Sequence, residues 1–135
     1  MEQLIVEGNM QLKGKIDILG AKNGILPMMA ASVLAEKGDT IIKNVPDLRD
    51  IRTFSKLLEE LGARVNYNQK TRTLIINCEH INKTEAPYEL VKQMRASFLV
   101  ISPLLARFKC AKIPLPGGCA IGARKVDMHL AALKE

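Results

Sequence analysis

Tryptophan is missing altogether, and aromatic residues make up only 4% of the chain. The stacking platform of a single-strand nucleic-acid binder is therefore absent, and the 20 basic residues are scattered rather than clustered. Histidine occurs only at His80 and His129, with no further ligands at metal spacing, so no metal is expected. No Cys-x-x-Cys pair is present. The three cysteines, Cys78, Cys110 and Cys119, are odd in number, which suits a reducing compartment and makes the cytoplasm the expected location. Long apolar runs are lacking too: the longest, residues 98–106, is broken by Ser102 and Pro103. The N-terminus carries acids where a signal peptide needs bases, so neither export nor a membrane span is expected.

What is present is the balance of a globular protein, with 47% hydrophobic and 25% charged residues and no low-complexity tract. At 135 residues the chain is one domain in size and can bury roughly two thirds of its unfolded surface. The net charge of +6 favours anionic partners, and without aromatics to stack bases these are expected to be small anions rather than nucleic acid.

Periodicity predicts an α+β chain. Residues 13–19 alternate polar and apolar, the pattern of a half-buried strand, and Gly20 ends it. A helix follows over 25–36, with Asn23 as a candidate cap and Pro27 tolerated in the first turn. Residues 40–45 read as a strand. Leu48, Ile51, Phe54, Leu57, Leu58 and Leu61 line one face of a second helix that Gly62 stops, and two strands, 63–67 and 73–76, are joined by a polar turn. The same order then begins again: extended residues to Pro87, a helix from Tyr88 or Met94 to Phe108, a strand over 110–115, and a last helix with Val126, His129, Leu130 and Leu133 on one face. Lys22 before the first helix matches Arg95 before its counterpart. The first β-α-β-α-β-β unit is thus expected at about 13–77 and part of a second at 78–135, with the chain ending inside a helix. Cys78 and Cys110 fall in the strand-like stretches and read as inert core thiols.

Chemistry concentrates in Leu115-Pro116-Gly117-Gly118-Cys119-Ala120-Ile121-Gly122-Ala123-Arg124. Glycines at 117, 118 and 122 allow a tight backbone whose N–H groups turn toward an anion. Those donors and Arg124 would favour a thiolate at Cys119, the usual route to a reactive cysteine. From spacing alone, Asn23 reads as a cap, Lys22 as a solvated lysine and Arg95 as a surface arginine at a helix N-terminus, where the dipole offers it nothing.

Four ordered stretches alter that reading: Ile18-x-Gly20-Ala21-Lys22-Asn23; Asn44-Val45-Pro46-x-Leu48-x-Asp50; Ala86-Pro87-Tyr88-x-Leu90-Val91-Lys92-x-Met94-Arg95-Ala96-Ser97; and Pro116-Gly117-Gly118-Cys119. Together they resemble the landmarks of the bacterial UDP-N-acetylglucosamine 1-carboxyvinyltransferases, enolpyruvyl transferases that open peptidoglycan synthesis. The resemblance implies the inside-out α/β barrel of that family, two domains of three β-α-β-α-β-β units each. This chain resembles the first third or so, one full unit and part of a second, so 1–135 is expected to be the N-terminal part and the second domain to be absent. A fragment, a split gene product or a degraded gene would each fit, and any missing domain would have to come from a separate chain.

The resemblance implies that Lys22 and Asn23 hold phosphoenolpyruvate, with Arg124 near its phosphate. Arg95, Arg124, Lys125, Val126, Asp127 and Met128 match the residues that contact UDP-N-acetylglucosamine. Lys125 departs from the family's usual proline, exchanging preorganisation for a charge that a diphosphate can use, and Met128 stands where leucine is usual. Cys119 matches the catalytic cysteine, the general acid for the methylene carbon of phosphoenolpyruvate and the target of fosfomycin. No cofactor is implied. A non-catalytic sugar-nucleotide or phosphate-binding remnant and a basic α+β RNA module remain the alternatives.

Overall fold

The computed structural model describes residues 3–8, 11–115 and 125–134. Its centre is a three-stranded antiparallel sheet of β1 (Asp39–Ile42), β2 (Arg64–Asn68) and β3 (Thr73–Asn77), in the order β1-β3-β2. Thr40 faces Ile76 and Ile42 faces Leu74 on one side of β3, while Val65 and Tyr67 face the same two residues on the other. Alternation therefore sends Ile42, Leu74 and Ile76 inward with Val65 and Tyr67 beside them, and leaves Ile41, Asn66 and Ile75 on the outer face. The turn between β2 and β3 is closed by the Thr71 N–H donating to Asn68 Oδ1 and by Arg72 in the left-handed region.

Against the inner face lies α2 (Arg49–Glu60), whose Ile51, Phe54, Leu57 and Leu58 are buried at helical spacing. Leu48 is its N-cap and is exposed, so the predicted apolar face begins at Ile51. Gly62 ends the helix as expected. It adopts a φ of 107°, its N–H reaches Glu59 O and the Ala63 N–H reaches Leu58 O, the paired bonds of a Schellman stop. A Cβ at Gly62 would also lie 2.7 Å from His80 O.

The first helix, α1 (Lys22–Ala31), starts earlier than periodicity suggested and gives way to a 3₁₀ turn at Ser32–Leu34. Its N-cap is Ala21, so Asn23 is inside the helix and not its cap, and Pro27 falls in the second turn, where it deprives the Asn23 carbonyl of its helical donor. Ile25, Leu26, Met29 and Ala30 join the core. The single helix expected to run to Phe108 is three pieces: α3 (Tyr88–Val91), a 3₁₀ segment (Arg95–Val100) and α4 (Ile101–Phe108). Met94, extended at φ −151° and ψ 120°, makes the break. Arg107 on α4 ties the pieces to the first half, one guanidinium nitrogen donating to the carbonyls of Val33, Ala35 and Cys78. The last helix, α5 (Asp127–Ala132), buries no residue.

Two predicted strands do not form. Residues 11–20 carry no strand, and Leu12, Ile16 and Ile18 are 94%, 83% and 81% exposed, because no described strand lies alongside to take their hydrogen bonds. Residues 110–115 contribute one parallel bridge, Lys112 to Glu85, for the same reason. Cys78 is buried as expected, but Cys110 is exposed, which corrects its reading as a core thiol. Among the described residues no helix is long and apolar enough to cross a membrane.

Candidate functional site

The site is built where chain segments enter helices. Gly20 brings the first of them in: its N–H donates to Asn44 O at 3.0 Å, and a Cβ there would sit 2.4 Å from that oxygen, so only glycine permits the approach. Asn44 is itself in the left-handed region, at φ 59°, and its Nδ2 donates to Ile18 O. The first and second sequence motifs are thus stitched together at their backbones. One turn on, Lys22 opens α1 and Asp50 lies in the first turn of α2, and Lys22 Nζ meets Asp50 Oδ2 at 2.7 Å. Both side chains remain partly exposed, at 42% and 33%. Asn23, beside Lys22, is exposed.

A second convergence involves Arg95, the first residue of the 3₁₀ segment that packs on α1. Its Nη2 donates to Lys125 O at 3.1 Å, linking the third motif to the segment that leads into α5. Phe98 reinforces the link by meeting the His129 ring edge to face, centroids 6.2 Å apart. His129 thus packs against Phe98, as expected. Lys125 and Met128 are exposed, Val126 is half-buried and Asp127 starts α5. The expected site residues Cys119 and Arg124, and the glycine loop around them, lie outside the described residues.

Electrostatics beyond this region serve the fold. The Arg52 guanidinium, bonded to both Asp47 oxygens, holds that carboxyl below its ordinary range, and the Gly38 N–H does the same for Glu79. Burial pushes the Cys78 thiol up, against the opposing pull of the Ser32 hydroxyl and Arg107, as befits an inert core sulfur. Among the described residues no group of three His, Cys, Asp or Glu could hold a metal ion.

The arrangement therefore offers an ammonium and an amide at the head of α1, and a guanidinium braced against the entry of α5. Both are donor sets for anions. Asp50 is a motif residue to which the sequence assigns no role; its partner Lys22 lies 28 residues away.

Comparison with known proteins adds the family. The chain matches the family model described as EPSP synthase (3-phosphoshikimate 1-carboxyvinyltransferase) over residues 6–135. It is 51% identical over 134 residues to the UDP-N-acetylglucosamine 1-carboxyvinyltransferase of Acinetobacter guillouiae, covering 99% of this chain and 31% of that one. The protein of that name from Dichelobacter nodosus is 49% identical over 134 residues, with 99% and 32% covered, and the one from Campylobacter fetus 49% over 135 residues, with 100% and 32% covered. The chain thus spans about a third of the length of the curated relatives it matches. Among solved structures, the enolpyruvyl transferase NikO from Streptomyces tendae aligns with a TM-score of 0.65 at 23% identity, covering 71% of this chain and 22% of that one, a likeness of fold alone.

Proposed function

Because the chain belongs to the EPSP synthase family of enolpyruvyl transferases, we propose that it is the N-terminal part of a UDP-N-acetylglucosamine 1-carboxyvinyltransferase. The observation that carries this reading is identity of 51% across 99% of the chain with a relative of that name. On this reading residues 13–77 correspond to the first repeat unit, of which this structure forms the α-β-α-β-β part, and 78–135 to part of a second, acting in the cytoplasm with the rest of the site supplied by sequence beyond this third.

The reaction moves the enolpyruvyl group of phosphoenolpyruvate onto the 3-hydroxyl of UDP-N-acetylglucosamine. The hydroxyl oxygen bonds to C2 and gives up its proton to a base supplied from beyond this third of the sequence, while the Cys119 thiol gives its proton to the C3 methylene, so the double bond becomes a methyl group on a tetrahedral carbon. Loss of phosphate from C2 and of a proton from C3 then restores the double bond. Lys22 and Asn23, with Arg124, hold the phosphoenolpyruvate anion; an ammonium at a helix entry and a neighbouring amide supply suitable donors. Arg95 and residues 125–128 take the sugar nucleotide, a role supported by the Arg95–Lys125 bond that joins them.

Intact mass after incubation with fosfomycin, with and without UDP-N-acetylglucosamine, tests the reading once the adduct is located by peptide mapping. Modification at Cys119 alone, faster with the sugar nucleotide, is expected. No adduct, or equal labelling of Cys78, Cys110 and Cys119 by a generic thiol reagent, would replace it with the second reading, a remnant that covers only a third of its relatives and has lost turnover.

A further inference from the structure

Lys22 occupies a place that helix electrostatics disfavour. As the first residue of α1 it puts a positive charge at the positive end of the helix, with no side-chain cap to offset it. Asp50 answers that charge at 2.7 Å from the opposite situation, an acid in the first turn of α2 where the dipole stabilises it. The backbone beneath the pair is constrained as well, since Gly20 abuts Asn44 so closely that a side chain on Gly20 would displace the carbonyl. Lys22 is therefore fixed from two sides, by its backbone against the strand-to-helix connection and by its ammonium against the helix that follows. Both partners keep enough exposure for a ligand to reach the ammonium while the carboxylate still holds it.

From this geometry we propose that Asp50 is a positioning residue. It aims the Lys22 ammonium at the anion the site accepts and holds it there before the anion arrives. The inference rests on the phosphoenolpyruvate reading of Lys22. A surface lysine spends its time among many rotamers, and an ammonium already restrained surrenders less freedom when it meets an anion. Asp50 also sets a limit on the site, because its negative charge repels anions that do not bond directly to Lys22.

Competitive acetylation of all lysines, mapped by mass spectrometry on the 135-residue chain, reads Lys22 one residue at a time. Phosphoenolpyruvate is expected to protect Lys22 in the wild type, inorganic phosphate to do so less well, and Lys70 and Lys134 to be indifferent to both. Asp50→Asn is expected to raise the Lys22 rate without ligand about three- to fivefold, the range an ion pair this exposed can supply, and to raise the phosphoenolpyruvate concentration for half protection by a similar factor. Asp50→Glu keeps the first-turn charge and hence the helix, as circular dichroism would register, but moves the carboxylate; half protection should fall between the other two. A residue that merely supported α2 would leave the Glu variant indistinguishable from the wild type.

The outcomes separate the two claims. Protection of Lys22 that is the same in wild type, Asp50→Asn and Asp50→Glu overturns the positioning role and leaves the anion site standing. Absence of protection in the wild type overturns the anion role of Lys22, and the positioning role with it. Should Asp50→Asn unfold the chain, the Glu variant decides alone, and protection matching the wild type counts against the proposal.

Discussion

Residues 13–19 and β3 both place large aliphatic side chains two positions apart, Ile16 and Ile18 in one and Leu74 and Ile76 in the other, and end in opposite states. β3 lies between two strands, and its Leu74 and Ile76 are almost wholly buried. In the N-terminal stretch, Ile16 and Ile18 are exposed, and its described backbone contacts to the rest of the fold gather at its end, at Gly20 and the Ile18 carbonyl. Alternation therefore describes a strand's suitability, whereas pairing and burial come from whatever lies alongside. The chain spans about a third of its relatives, and its solvent-facing alternating stretch is one whose partners are not among the described residues.

The largest effect should come from cutting the same kind of side chain on each side of this comparison. Leu74→Ala removes a wholly buried group facing Ile42 and Tyr67, and about 2–5 kcal/mol of stability is expected to go with it. Ile16→Ala should change stability by less than about 0.5 kcal/mol. Urea unfolding of both variants measures the contrast, and amide exchange should give slow amides in 73–77 and fast ones in 11–19.

Arg107→Met comes next, since it leaves the carbonyls of Val33, Ala35 and Cys78 without their charged donor. A loss of about 2–3 kcal/mol is expected, read by the same unfolding curves. Gly20→Ala acts where the bare segment meets the core. Forcing Asn44 O away from a 2.4 Å approach should cost about 1–3 kcal/mol and loosen the start of α1 rather than the sheet, a distinction that exchange at residues 22–26 would resolve.

The smallest effect is in acid. Asp47 and Glu79 have pKa values lowered in the fold, by the Arg52 guanidinium and by the Gly38 N–H respectively. Such carboxylates stabilise the fold above their unfolded value of about 4, and that contribution fades as pH falls through the lower folded value. Asp47→Asn and Glu79→Gln should each lower the unfolding midpoint slightly at neutral pH, where the contribution is present, and make its decline in acid shallower, so that variant and wild type converge as the wild-type carboxylate protonates.

Local rules read the first half well. The face of α2, its Gly62 stop and the β2–β3 hairpin were legible because each is decided within a few residues: a helical period, a left-handed stop, a polar turn. Features decided at a distance were not. The strand expected at 110–115 needs a longer neighbour than the single bridge at Glu85 provides, and Cys110 is exposed in consequence. The helix expected from Tyr88 or Met94 to Phe108 breaks at Met94, the later of its two candidate starts, and continues as a 3₁₀ segment before α4. Asn23 is a good cap by type, but α1 begins one residue before it. Motif singled out Lys22, Arg95 and Lys125 as candidates, and the structure joins the last two. Asp50 carried no assigned role because its partner is 28 residues away and no local pattern pairs them.

Arg107 also imposes an order of events on synthesis. The carbonyls it caps at Val33 and Ala35 lie 74 and 72 residues upstream. A ribosome making this chain therefore synthesises the first helix and the whole sheet before it has made the side chain that ties them to α4. Until then the early half must persist with those carbonyls in water, and its final locking is a late, single step that arrives with α4.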